Sequence, residues 1–182
     1  MSGLILEFLP AAGHALVVGG GKIATRKVRN LAEAGVPITV VAPTVADEIR
    51  LAPHVTLVVR GYRDGDLDLG VGFALVFACT DSRDVNRRVG AAARARGIPV
   101  LVADRQAEST FFTPAVLRDG GVAVAVSTGG ASPAVARLIR ERIVAALGPG
   151  WGRILAAARS EREARLHRAR ASSEDPGDAD DA

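Results

Sequence analysis

Aromatic residues make up only 4% of this 182-residue chain, and cysteine occurs once. A lone cysteine has no partner for a disulfide and no companions for a thiolate metal cluster. Cys79, inside the apolar run FALVFAC, is therefore expected as a buried core thiol. With so few aromatics and no run of Lys or Arg, the chain offers no stacking platform for single-stranded nucleic acid, and no nucleic-acid partner is expected. No stretch approaches the ~18 uninterrupted apolar residues of a membrane span. The opening MSGLILEFLP has neither a charged n-region nor a small-residue cleavage site. Neither a membrane span nor a secretory signal is expected, and the protein is read as cytoplasmic. His14 has no Cys, His or carboxylate spaced to join it as a metal ligand and is expected at the surface, and His54, in a turn, is expected to be solvated.

What the chain has is apolar bulk and arginine. A hydrophobic fraction of 48% can bury one good core with a small appendage. The formal net charge is +3, but residues 172–182 hold five acids and no base, so residues 1–171 carry 23 bases against 15 acids, or +8. That excess suits an anionic partner and equally describes a solvated, arginine-rich surface.

The chain is organised around LVVGGGKIATRK, residues 16–27. An apolar strand is followed by three glycines and a helix beginning near Lys22. In the pattern G-x-G-x-x-G/A, Gly19 makes the tight turn, Gly21 lets backbone approach a pyrophosphate, and Ala24 packs the new helix closely on the strand. Glycine-rich turns also arise for steric reasons alone. Here the context favours a nucleotide cradle, because a second strand over 38–42 closes a βαβ unit. Further strands are predicted over 55–59, 73–79 and 99–103. A short helix is expected over 45–51, and a longer one after 80–84 whose apolar face uses Val85, Val89 and Ala92. Alternating strands and helices predict a Rossmann-like, doubly wound parallel sheet.

After Ala103 the rhythm changes. Residues 104–114 show no period, Arg118, Asp119, Gly120 and Gly121 read as a hairpin turn, and Ser132 and Pro133 cap a helix reaching about Leu147 with Val135, Leu138, Ile139 and Ile143 on one face. Residues 148–150 break it, and a charged helix is expected from Trp151 to about Arg170. The expected organisation is a Rossmann domain over 1–113, a small α+β dimerisation region over 114–150, a C-terminal helix over 151–171, and an acidic disordered tail over 172–182.

Ligands of open α/β sheets lie beyond the carboxyl ends of the strands. The glycine loop, Pro43, Thr44 and Thr80 should therefore line one crevice. An acid about 20 residues past the glycines, which would hold the adenine ribose, is missing, and so is an arginine for a 2′-phosphate. These residues alone separate NAD from NADP only weakly. Asp104, directly after the last strand, can take a proton or steer a divalent cation, or can simply cap a turn. STGGASP, residues 127–133, reads either as a second helix-entry anion site or as a well-capped helix.

The segments GGGKIATRKVRNLAEAG, VFACTDSRDVNRRV, VAD at 102–104, FFTPA at 111–115 and AVSTGGASPAVARLIRERI from Ala125 together resemble the precorrin-2 dehydrogenase and sirohydrochlorin ferrochelatase family, the N-terminal module of sirohaem synthase, over residues 4–147. The resemblance implies NAD-dependent oxidation of the tetrapyrrole precorrin-2 to sirohydrochlorin. In some members it also implies insertion of ferrous iron (or cobalt) as a substrate metal, and it implies a homodimer. It places Gly19, Gly21, Lys22 and Ile23 at the pyrophosphate and ribose, and Pro43, Thr44 and Thr80 around the rest of NAD. Asp104 becomes the proton acceptor and transient metal guide, while Ser127 and Thr128, with Gly129, lie near the substrate. The family usually continues the STGGASP helix into a longer helical domain. The shorter segment here leaves ferrochelation open, and with no methyltransferase module after it, a separate protein is expected to methylate the precursor. Leu101 and Thr113 stand where the family often has Asn and a large apolar residue. The competing reading is an NAD-sensing module without catalysis, which expects an acidic ribose clamp and leaves STGGASP unexplained.

Overall fold

The run HALVV has no polar side chain after His14, and a strand of that composition persists only where both faces are covered. In the computed structural model, which describes residues 3–70 and 72–173, it forms β1 (His14–Val18), with Ala15, Leu16, Val17 and Val18 buried. β2 (Ile38–Val41), β3 (Val55–Val58), β4 (Phe73–Ala78) and β5 (Val100–Val102) complete a five-stranded, wholly parallel sheet in the order β3-β2-β1-β4-β5. The order reverses between β1 and β4, the switch point at which such sheets open a crevice.

Alternation along β1 divides the core between two faces. Ala15 and Val17 pack with Ala24, Val28 and Leu31 of α1 (Lys22–Glu33) and with Ile49 of α2 (Asp47–Arg50). Leu16 and Val18 pack with Val89 and Ala93 of α3 (Arg83–Ala95). The fold is therefore the doubly wound α/β architecture expected from the strand and helix rhythm. The buried stripe of α3 is rotated from the expected face: it consists of Asn86, Val89, Gly90 and Ala93, and Val85 and Ala92 are only half-buried. Gly90 explains part of the rotation, since a Cβ there would lie 2.9 Å from the Val102 side chain.

Two segments without sequence period have structural roles. Residues 109–110 lie along the outer edge of β5. The Thr110 amide donates to the Val100 carbonyl (2.8 Å), and the Val100 and Val102 amides donate to Thr110 Oγ1 (2.8 Å) and Ser109 Oγ (2.9 Å). An exposed edge is thus closed without another strand. In the polar connection after β3, Asp66 is buried and accepts from Arg60 Nη1 (2.8 Å), Arg60 Nη2 (2.6 Å) and the Arg63 amide (2.8 Å). Burial alone would raise its carboxyl; the bonds from Arg60 and Arg63 together outweigh that and hold it below the usual range.

The chain divides after Phe112 into two compact units. The second contains an antiparallel hairpin, β6 (Ala115–Asp119) and β7 (Val122–Val126), with α4 (Pro133–Leu147) packed over both strands and α5 (Trp151–Ser173) after it. Gly120 supplies the positive φ (58°) that a two-residue hairpin loop needs. Asp119 then caps α5, its Oδ2 accepting from the Gly150 and Trp151 amides (2.8 Å each). Gly120 and Gly152 meet so closely that a Cβ on either would strike the other's backbone. α5 takes in Ser172 and Ser173, the first residues of the expected acidic tail, and the rest of that tail, 174–182, lies outside the described residues. Among the described residues no helix is long and apolar enough to cross a membrane.

Candidate active site

The glycine turn sits at the switch point. Gly19 has φ 122°, donates to the Val41 carbonyl (2.9 Å), and approaches β4 so closely that a Cβ would lie 2.5 Å from the Cys79 carbonyl oxygen. Gly20, which the G-x-G spacing leaves unspecified, is as constrained. A Cβ there would fall on the Thr44 carbonyl, and the Gly20 carbonyl accepts from the Ala46 amide (3.0 Å). This contact brings the exposed Pro43 and Thr44 to the glycine turn. Gly21 is different: nothing lies within 4 Å of where its Cβ would stand.

Gly21 is also the N-cap of α1, and no side chain caps the helix there. The first-turn amides, from Lys22 to Ala24, have no intrahelical acceptor. Thr25 turns inward instead, its amide and hydroxyl both donating to the Gly21 carbonyl (2.9 and 3.1 Å). Lys22 and Ile23 are exposed beside the open space, while Ala24 is buried against the sheet. Open space at Gly21, uncapped amides and the positive end of α1 fit a dinucleotide pyrophosphate.

Across the switch point, Thr80 follows β4 and Asp104 follows β5, and the side chain between them is Asn86. Asn86 is 0% exposed. Its Oδ1 accepts from the Thr80 amide (3.0 Å) and Thr80 Oγ1 (2.7 Å), and its Nδ2 donates to the Thr80 carbonyl (2.9 Å) and Asp104 Oδ1 (2.9 Å). The other Asp104 oxygen faces Arg83 Nη1 at 3.4 Å, and Arg83 also pairs with Glu108. The Arg83 guanidinium holds the Glu108 carboxyl below its ordinary value. Gly19, Gly21, Lys22, Ile23, Pro43, Thr44, Thr80 and Asp104 thus all lie along the carboxyl edge of one sheet. Asn86, Arg83 and Glu108 escaped the sequence reading. For Asn86 a signal existed: it is a carboxamide in register with Val89 and Ala93 on a buried helix face.

Ser127, Thr128 and Gly129 belong to the second unit. Thr128 Oγ1 accepts from the Ser132 amide and donates to the Ser132 carbonyl (3.1 Å each), Ser127 Oγ accepts from the Gly129 amide (3.2 Å), and Ser132 Oγ accepts from the Val135 amide (3.2 Å). Pro133 has no amide hydrogen, so the N-terminus of α4 is largely satisfied by its own side chains. The capped-helix reading accounts for this geometry, and Ser127 remains exposed. The stripe Val135, Leu138 and Ile139 is 40–50% exposed, because the face that α4 turns to the hairpin is the one carrying Ala136. Nearby, an apolar cleft of about 380 Å³ is lined by Leu117, Val122, Val124, Val144, Leu147 and Trp151.

Two further ionisable groups, Cys79 after β4 and Lys27 of α1, are buried. Burial pushes the Cys79 thiol up to about 11, which suits a core position and not a nucleophile. Burial likewise draws the Lys27 ammonium below its ordinary value, and Lys27 lies 5.9 Å from the Phe77 ring centroid. Among the described residues no three His, Cys, Asp or Glu side chains form a metal cluster.

Comparisons with known proteins agree with this layout. A family model described as putative NAD(P)-binding matches residues 10–115, and one described as sirohaem biosynthesis protein central matches residues 119–146. A siroheme synthase of Pseudomonas entomophila (strain L48) is 41% identical over 157 residues, 82% of this chain and 33% of that protein. The siroheme synthase of Nitrosomonas europaea is 42% identical over 143 residues, 76% of this chain and 30% of that protein. The chain thus spans about a third of the length of the curated relatives it matches. The solved structure of SirC, a precorrin-2 dehydrogenase, superposes with a TM-score of 0.65 at 27% identity, covering 84% of this chain and 74% of that one. With the first model spanning more than half of its length, the chain belongs to this NAD(P)-binding family, and its residues 119–146 match the central region of sirohaem-biosynthesis proteins.

Proposed function

We propose that this chain is an NAD-dependent dehydrogenase that oxidises precorrin-2 to sirohydrochlorin in sirohaem synthesis, acting in the cytoplasm as a homodimer. The observation that carries the reading is the Asp104 carboxylate, tied through Asn86 to Thr80 on the crevice edge that also holds the uncapped glycine turn. The siroheme synthases and the precorrin-2 dehydrogenase among its relatives supply the substrate class.

In this reading Gly19 and Gly21 shape the turn, and the first-turn amides of α1, with Lys22 and Ile23, hold the pyrophosphate and ribose. Pro43, Thr44 and Thr80 line the remainder of the cofactor site. NAD, when bound, supplies the hydride acceptor. Removing two hydrogens from the macrocycle as a hydride and a proton requires a base, and Asp104 takes the proton. Asp104 can also receive pyrrole N–H protons if a ferrous or cobaltous ion, a substrate, is inserted afterwards. Ser127, Thr128 and Gly129 contact the substrate, and the basic excess of residues 1–171 suits its carboxylates. The exposed Val135, Leu138 and Ile139 stripe of α4 supports a second copy as partner.

Incubation with NAD and precorrin-2, following the absorbance of the oxidised macrocycle, tests the proposal. Oxidation with stoichiometric NADH is expected. NAD binding without turnover would leave an NAD-sensing module instead, and subsequent addition of ferrous or cobaltous ion reports chelation separately.

A further inference from the structure

We propose that Asn86 is a positioning residue, whose buried carboxamide holds the Asp104 carboxylate in register with the Thr80 loop. The inference rests on the reading of Asp104 as proton acceptor. Its basis is the bonding of Asn86 itself. The side chain occupies a position on the α3 stripe where its neighbours in register, Val89 and Ala93, are apolar. Burying a carboxamide there is unfavourable unless every donor and acceptor is used, and here all are: two bonds to Oδ1 and two from Nδ2.

The orientation of the amide is dictated by its partners. The Thr80 amide can only donate, so it faces Oδ1, and the Thr80 carbonyl can only accept, so it faces Nδ2. The second Nδ2 hydrogen then points at Asp104 Oδ1. Asp104 itself lies on an exposed turn between exposed Ala103 and Arg105. Arg83, its other contact, is 37% exposed, stands 3.4 Å away and is shared with Glu108. The buried, saturated Asn86 is therefore the firmer of the two restraints. It also joins the proton acceptor through a single side chain to Thr80, a residue of the cofactor crevice. Displacing a catalytic group by ~1 Å is enough to cost about 100-fold in rate.

The test compares Asn86→Asp and Asn86→Ser with the unaltered full chain, using NAD and precorrin-2, with kcat and KM from steady-state kinetics and NAD affinity from calorimetry. Asn86→Asp keeps the volume and the oxygen that accepts from Thr80, but presents an acceptor to Asp104 where a donor stood. Asn86→Ser no longer reaches Asp104, and it keeps the test open should the aspartate variant unfold. The expected result is a fall in kcat of about 30-fold or more in both variants, with NAD affinity and KM within about threefold in Asn86→Asp, which keeps the acceptor for the Thr80 amide. Unchanged kcat in either folded variant would overturn the inference. So would a parallel loss of kcat, NAD affinity and melting temperature in Asn86→Asp, the pattern of a purely structural residue. Asp104→Ala separates this inference from the reading beneath it. If Asp104→Ala turns over normally, the proton-acceptor reading fails; if it is inactive while Asn86→Asp is normal, only the positioning role fails.

Discussion

Two helices of this protein begin at glycine turns, and the two turns spend their backbone hydrogen bonds differently. At α4 the chain closes on itself: Ser132 caps, Pro133 removes an amide hydrogen, and Thr128 ties both the amide and carbonyl of Ser132. At α1 the cap position is Gly21, no side chain caps the first-turn amides, and the space beside Gly21 is open. A helix start that supplies its own partners needs no anion to satisfy its amides. One left without them at the switch point of a parallel sheet is prepared for an anion.

Substitutions at neighbouring glycines separate packing from binding. Gly20→Ala would drive a methyl group into the Thr44 backbone and is expected to lower stability by about 3 kcal/mol, read by chemical denaturation. Gly21→Asp meets no steric obstacle within the chain, and its torsions (φ −91°, ψ −167°) are those of an N-cap. It should raise the melting temperature of the free protein slightly while weakening NAD binding about 100-fold or more in calorimetry, since its carboxylate would occupy and repel the pyrophosphate position. Equal affinity in that variant would remove the distinction between the two turns.

The self-capped side of the comparison predicts smaller effects on stability and none on NAD. Asp119→Ala removes the acceptor of the Gly150 and Trp151 amides at the start of α5 and should cost about 1.5 kcal/mol. Ser132→Ala should cost about 1 kcal/mol. In both, NAD affinity measured by calorimetry is expected to stay at its original value; a tenfold loss on Ser132→Ala would show that the α4 turn takes part in cofactor binding.

Local spacing made much of this legible. Gly19, Gly21 and Ala24 are fixed relative to one another by a single turn and a half of chain, and the apolar runs of β1 and β4 name strands covered on both faces. What could not be read are residues whose roles depend on segments distant in the chain. Gly20 is constrained by Thr44, Gly90 by Val102, and Asn86 joins Thr80 to Asp104 across 18 residues of sequence from its own position. Asp119 looked like part of a hairpin turn, yet it caps a helix beginning 32 residues later. The amphipathic pattern of α4 was visible, but not which of its faces would meet the hairpin. Small Ala136 faces the strands, and the larger Val135, Leu138 and Ile139 face outward.

The central claim is that Asp104 receives the proton released as precorrin-2 is oxidised, and NADH formation by Asp104→Ala tests it most directly. With precorrin-2 and NAD supplied, absorbance at the NADH band should stay flat in the variant while its melting temperature and NAD affinity match those of the unaltered chain. NADH production near the original rate would contradict the assignment.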